Sequence, residues 1–563
     1  MTSTQRGWLI VAIVVLGLCG VTWQIESSIS NTVAALKAAR IAEAARVARE
    51  NASATSASGY TGKGHLFTNA EVYAFLAAAK QAELIKDPLQ RCLAYPNPPG
   101  SHWTPAAVNA YCEYRMQPLM SFDELQALIQ DGHAAEADQR FAQMLDAQLT
   151  QPNARGRLDR TFDQDFDGSF EEREVLDAWK RASPKSAFAY AASGFAYEKM
   201  AFKARGSGYM RDTPASNVES MDRLLQQADT DLRQAIALDA RVTPAYTAMI
   251  DVGGLSLGNA YAMDAGRRGL KMDPANFSIY GALMWLAQPK WGGSLVEMND
   301  TAARAQTHVR ENPLMVLQLS KEPAYDKVNN CDCHSVGELA TYPAIFDQVS
   351  TAQDMLYAAY AADSSHHMEL SVVYFSEALR FDPDLPDARL HRIFNLSNFD
   401  ESKWAVDEAD DMVKLAPQDE DPIRARAFSY EMLGDYKHAE QDMHTALLMN
   451  PGDEGMLLEL GAMYAYWTHE WDKAWDTDNR VIQAYPNNPN GWTLRAEIQE
   501  QQPRTGLQDT INYYAAHFDT SPQAHKTLLR MQAALALQSR SQGQSAPKKI
   551  SSQMAPEKTP APG

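Results

Sequence analysis

Between about Thr351 and Pro486 the sequence repeats itself, and each unit closes on a proline. The closing residues are Pro383, Pro417, Pro451 and Pro486, at steps of 34, 34 and 35 residues. A unit of this length cannot bury an apolar face alone, so it must stack on its neighbours as one helix pair in an array. The unit ending at Pro451 shows the internal rule. Ala427 and Tyr430 fall on a first helix, Leu433-Gly434-Asp435 on a turn, and Ala439, Met443 and Ala446 on a second helix that stops before Asn450-Pro451. The small residues at 427, 439 and 446 sit where two antiparallel helices would cross closely. Gly434 suits a left-handed residue ending the first helix, and Pro451 cannot continue the second and favours an extended residue before it. The next unit repeats the scheme with Leu460-Gly461, Tyr464, Ala474 and Pro486, taking one extra residue in its turn. Upstream, Ala405 and Pro417 mark one unit, and Ala359, Phe375, Ala378 and Pro383 another.

These residues and this spacing resemble the tetratricopeptide repeat family, with departures at Ser371 and Val481, where the family has alanine. The resemblance implies an all-α fold, a tetratricopeptide-type helical solenoid over residues 346–535. It also implies that the first helices line a concave groove for a protein or peptide partner. Mapped onto this sequence, groove positions take Tyr360, Phe394 and Phe428, 34 residues apart, with Arg424, Met432, Leu458 and Tyr466 beside them. Rigid rings on such a face would bury much area at low entropy cost. A stripe of rings at helical spacing also reads as packing between helices, and both readings stand.

A second resemblance lies upstream. Trp179, the Pro184-x-Ser186 phrase, the small and aromatic helix after it and Ala204-Arg205-Gly206 are similar to the bacterial family called domain of unknown function 4034. Phe122-Asp123-Glu124-Leu125 fits the same pattern, so the similarity spans roughly residues 121–313. It implies a helical block and no reaction. Within it Asp239 and Asp273 end two degenerate units 34 residues apart, extending the array upstream, with an irregular insertion from Trp285 to about Tyr342.

At 563 residues the chain is expected to hold two or three domains. A hydrophobic content of 45% permits a large core, and alternating β-branched runs are scarce. The net charge is −20, and no Lys/Arg cluster lies beside interleaved aromatics, which argues against nucleic acid as a partner. Trp8 to Trp23 (WLIVAIVVLGLCGVTW) is an apolar run of 16 residues behind Arg6. It is short for a span and long for a signal core, and no small-x-small cleavage site follows promptly. Leu18 before Cys19 speaks against a lipoprotein box, and the two tryptophans suit two membrane interfaces. The segment reads as an uncleaved single-pass anchor in a bacterial inner membrane, with the bulk of the chain in the periplasm.

The expected order is therefore an anchor at 1–24, a helical stalk and linker at 25–64, and a helical segment at 65–120. The helical block follows at 121–345, the solenoid at 346–535 and a disordered tail at 536–563. Cys92 and Cys112 flank a proline-rich loop. A disulfide between them would stabilise by about 3 kcal/mol and would require an oxidising compartment.

Two constellations could carry chemistry. Asp163 to Glu174 satisfies D-x-D-x-D-G-x5-E, the calcium-loop pattern, with Asp163, Asp165 and Asp167 as carboxylate ligands, the Ser169 carbonyl as a fourth and Glu174 as a bidentate fifth. Phe166 is bulky for such a loop, no second loop is present to pair with, and Gly156 interrupts the entering helix. The alternative is an acidic turn opening the helix from Glu171 to Lys180. Cys331-Asp332-Cys333-His334 has one residue between its cysteines, where a c-type haem needs two and zinc usually two to four. A metal site completed by His366 and His367, paired thiols and a strained disulfide all remain open there. Neither a glycine-rich phosphate loop nor a G-x-S-x-G elbow is present. The leading expectation is a membrane-anchored scaffold with no catalytic role and no cofactor beyond the calcium candidate. An ion-dependent module at 163–174 and an enzyme centred near 331–334 are its rivals.

Overall fold

The first three described helices begin at side-chain caps. Thr68 and Glu71 form a reciprocal capping box at the first described helix, α1 (Asn69–Glu83). Asp87 and Thr104 cap α2 (Pro88–Ala94) and α3 (Pro105–Met116), each with a proline in its first turn. The computed structural model describes residues 65–208, 210–329, 335–502 and 504–544. The expected anchor at 1–24, the stalk and linker at 25–64 and the Cys331, Cys333, His334 motif lie outside them. The described residues form helices and turns and no strand. No helix among them is long and apolar enough to cross a membrane.

The chain divides into two compact units, residues 1–385 and 386–563. In the first, α4 (Phe122–Gln130), α5 (Ala134–Thr150), α6 (Arg157–Asp165) and α7 (Phe170–Ala182) lead into α8 (Ala187–Arg205) and α9 (Ala215–Leu238). Helix α8 carries Ala189, Ala191, Ala192, Ser193, Gly194 and Ala196, all buried, and so crosses α9 at close range. A β-carbon at Gly194 would stand 2.6 Å from the Leu232 side chain. Helices α10 (Thr243–Val252), α11 (Asn259–Met272), α12 (Phe277–Leu286) and α13 (Leu295–Gln306) follow. Helices α10 and α12 begin 34 residues apart, as Asp239 and Asp273 predict. Helix α13 follows α12 across eight residues that hold a 3-10 turn at Pro289–Trp291, within the stretch expected to be irregular from Trp285.

The pair α14 (Ala352–Ser364) and α15 (Met368–Phe381) lies within the repeat span expected from 346, and the first compact unit includes it and runs to Leu385. The reason is a clasp. Segment α1–α3 covers α15, whose Tyr374, Phe375 and Phe381 are fully buried. Cys92 and Cys112 are joined as a disulfide with Cα atoms 5.8 Å apart, as the sequence suggests. The buried Arg380 donates to the Cys92 carbonyl at 2.8 Å and to Asn97 Oδ1 at 3.1 Å. Tyr111 lays its ring 4.4 Å from Phe381 and receives the Ala352 amide at 2.9 Å. Trp103 Nε1 donates to the Phe346 carbonyl at 2.9 Å.

The second unit contains α16 (Pro386–Ser397), α17 (Ser402–Leu415), α18 (Glu420–Leu433), α19 (Tyr436–Met449), α20 (Glu454–Tyr466), α21 (Trp471–Ala484), α22 (Pro489–Gln501), α23 (Leu507–His517) and α24 (Pro522–Gln544). First helices start at Ala352, Pro386, Glu420, Glu454 and Pro489, at steps of 34, 34, 34 and 35 residues. Second helices start at Met368, Ser402, Tyr436 and Trp471, at 34, 34 and 35. Connections of two to four residues between helices that pack along one another make each pair an antiparallel hairpin. Each turn places one residue in the left-handed region: His366 at φ 60°, Asp400 at 59°, Gly434 at 81° and His469 at 54°. The expected glycine is found in one turn of four, and the others accept about 1 kcal/mol of backbone cost. Helix α24 continues to Gln544, into the span expected as a tail from 536, and the rest of that span lies outside the described residues.

Candidate functional site

The first helices of the second unit expose a face whose register follows the repeat. On α18, Arg424, Phe428 and Met432 share that face at intervals of four residues. Phe394 on α16 and Phe428 on α18 are half-buried, with ring centroids 5.4 Å apart. Phe428 stays outside the buried cluster beside it, which is built from residues such as Ile423, Ala427, Met443, Leu460 and Tyr464. Met432 and Tyr466 remain 48% and 46% exposed, so they are available to a partner and add little to the core. Leu458 is half-buried and leans on the core cluster, which makes it part wall and part packing. Tyr360 lies in the first unit, half-buried, with its ring 5.1 Å from the buried Phe375.

Arg424 is held by Asp453 at the mouth of the next repeat, Nη1 to Oδ2 at 2.9 Å. Beside it lie two carboxylates that the sequence reading passed over. Glu431 follows Phe428 by three residues on α18, and Glu459 follows Leu458 on α20. Burial, then the Glu459 charge, raises the Glu431 carboxyl above its ordinary value, while Trp467 donates a hydrogen bond to it. Glu459 is exposed, yet crowding by its neighbours raises its carboxyl, with Arg424 opposing the rise and Asp453 adding to it. Leu433 and Trp467, 51% and 56% exposed, end the same two helices. The spacing could have identified this extension, since Leu433 and Trp467 are one repeat apart.

Other charges on the first helices are structural. Arg392 on α16 bonds Glu408 on α17, both buried, with Nε to Oε2 at 3.2 Å. Arg426 on α18 forks onto Asp442 on α19 at 2.8 Å through Nε and Nη2, and reaches Asp410 on α17 at 2.6 Å. Arg495 on α22 bonds Asp478 on α21 and lies 3.9 Å over the Trp475 ring. Each arginine occupies the seventh residue of its first helix, where α20 has Leu460.

The proposed calcium ligands are placed differently. Asp163 and Asp165 belong to α6, Asp167 and Ser169 to the loop, and Glu174 points out exposed from α7. The buried Glu172 organises this loop, accepting from the Asp167 amide at 2.7 Å and the Gly168 amide at 3.0 Å. Asp167 receives the Ser169 amide at 2.9 Å and pairs with Lys203 at 2.9 Å. Asp167 thus turns onto its own loop's backbone and onto Lys203, while Asp165 receives the Phe122 amide. Among the described residues no three His, Cys, Asp or Glu side chains are grouped to hold a metal. Burial and the neighbouring Asp167 raise Glu172 to about 7. Gly168 is required here, at φ 75°, because a β-carbon would stand 2.6 Å from the Met200 amide.

Residues 121–255 match the model of the family described as a domain of unknown function, DUF4034. The match covers α4 to α10 and is shorter than the span of roughly 121–313 predicted above. No curated protein matches the chain significantly. Among solved structures, the P58(IPK) TPR domain is 14% identical, with 71% of this chain and 99% of that chain covered and a TM-score of 0.21. A chain of the APC/C hetero-tetramer Cut9–Hcn1 is 12% identical, with 82% and 98% covered and a TM-score of 0.28. The repeat assignment rests on the helix starts and turn geometry described above.

Proposed function

We propose that this DUF4034-bearing helical-repeat protein is a membrane-anchored scaffold that holds a segment of another protein against the first helices of its second unit. The observation that carries this reading is the half-buried Phe394–Phe428 pair, which joins two successive first helices while Phe428 stays outside the buried cluster beside it. Binding along a helix-lined face would use these rings as anchors, with Met432 and Tyr466 as adaptable margins. Phe394→Ala together with Phe428→Ala should abolish co-purification of the partner while leaving the thermal midpoint nearly unchanged. Retained capture, or a large drop in the midpoint, would return these rings to a packing role.

The bulk of the chain is assigned to the periplasmic side of a bacterial inner membrane. The buried Cys92–Cys112 disulfide supports this, since such bonds persist in oxidising compartments. Protease added to spheroplasts should digest the chain, and protection from it would place the bulk in the cytoplasm.

A further inference from the structure

The exposed face carries an imbalance of charge as well as an apolar surface. Met432, Leu433, Tyr466 and Trp467 are each between 46% and 56% exposed and end two successive first helices. Four large side chains exposed together mark an interaction surface more often than isolated ones do. Glu431 and Glu459 sit among them. Among the described residues, the cation acting on Glu459 is Arg424, and Asp453 already takes its charge at 2.9 Å. The remaining charge is negative, on a half-buried Glu431 and an exposed Glu459, so the free protein bears two like charges that repel each other. This contrasts with the interior of the repeats, where Arg392, Arg426 and Arg495 each meet a carboxylate.

We infer, on the reading of this face as a partner site, that the segment it holds presents a lysine or arginine flanked by aliphatic or aromatic side chains. The cation sits between Glu431 and Glu459, and the flanking side chains cover Phe428, Met432 and Tyr466. A cation desolvated against two carboxylates forms charge-assisted hydrogen bonds and relieves the repulsion that the empty face carries. An acidic segment would add to that repulsion, so the same two residues also reject it.

The test is affinity selection of a randomised peptide display library on the full chain, with each enriched peptide then measured against three variants. The net charge of −20 attracts any cationic peptide, so a control is needed. Asp407→Asn with Asp476→Asn removes two exposed carboxylates from the second helices α17 and α21. Enriched peptides should carry Lys or Arg beside apolar residues. They should lose about tenfold or more in affinity on Glu431→Gln with Glu459→Gln, and keep it on the Asp407/Asp476 control. The thermal midpoint of the glutamine variant should equal or exceed the parent's. Neutral or acidic winners, or equal losses on both carboxylate variants, would overturn the inference. If such peptides still lose binding on Phe394→Ala with Phe428→Ala, the face remains a partner site and only the cationic requirement fails. If they do not, both fail. Self-association of the full chain that these phenylalanines control would put a second copy on the face and likewise overturn it.

Discussion

Glu172 and Glu174 differ by two positions and by nearly everything that matters to their chemistry. The spacing of Asp163, Asp165, Asp167 and Glu174 specifies residue types along a loop, but the direction of each side chain depends on what the loop rests against. Here Gly168 rests on α8, Phe166 is buried, and Glu172 accepts the Asp167 and Gly168 amides. Buried carboxylates of this kind recur. Glu322 is 1% exposed, and burial, then the Asp326 charge, raises it to about 7 from 4.5. A raised folded-state value means that its contribution to stability is complete below about pH 4.5 and is lost as pH rises through about 7. Glu322→Gln should therefore stabilise the protein by about 2–3 kcal/mol near pH 8, with the difference closing below about pH 4.5. Chemical unfolding of parent and variant across that range measures it, and a difference independent of pH would contradict the burial account. Burial also dominates at Glu377, raised to about 7 although Arg380 lies 3.2 Å away.

At the scale of elements, the second unit is a set of hairpins tied by an arginine on each of three first helices. Arg392 and Glu408 are buried together between α16 and α17, while the equivalent position in α20 is Leu460. The fold thus tolerates either an ion pair or an aliphatic side chain there, but not half a pair. Arg392→Ala should cost about 3 kcal/mol, because it leaves the buried Glu408 carboxylate with Arg389 alone, 3.7 Å away. Arg392→Leu with Glu408→Met should be neutral or stabilising. Denaturant midpoints of the three proteins check this, and a double variant as unstable as the single one would refute it. Periodicity made the helix pairs, the turn at Gly434 and the second helices legible in the sequence, since each recurs at one step. It could not reveal the clasp of α1–α3 on α15. Cys92 and Arg380 are 288 residues apart, and a contact made once leaves no repeat to read. The run of α24 past 536 was not legible for a related reason: the helix has few apolar residues late in its length, yet Gln538 still donates to the Gln499 carbonyl at 2.9 Å.

For the molecule as a whole, the described chain is two helical units, and the second offers a face that its own core does not use. The aromatic positions of that face were legible because they follow the repeat. Its carboxylates were not, because in a chain of net charge −20 no single glutamate stands out until its neighbours are known. The same limit applies to Arg424, which reads as a contact residue and is already engaged by Asp453. The most direct measurement replaces Phe428 of the full chain with a photoreactive phenylalanine and irradiates living cells. A discrete heavier adduct should form from position 428, and none from the same group at Leu448, which is 82% exposed on a second helix. No adduct at 428, or equal labelling from both positions, would contradict a partner site on the first helices.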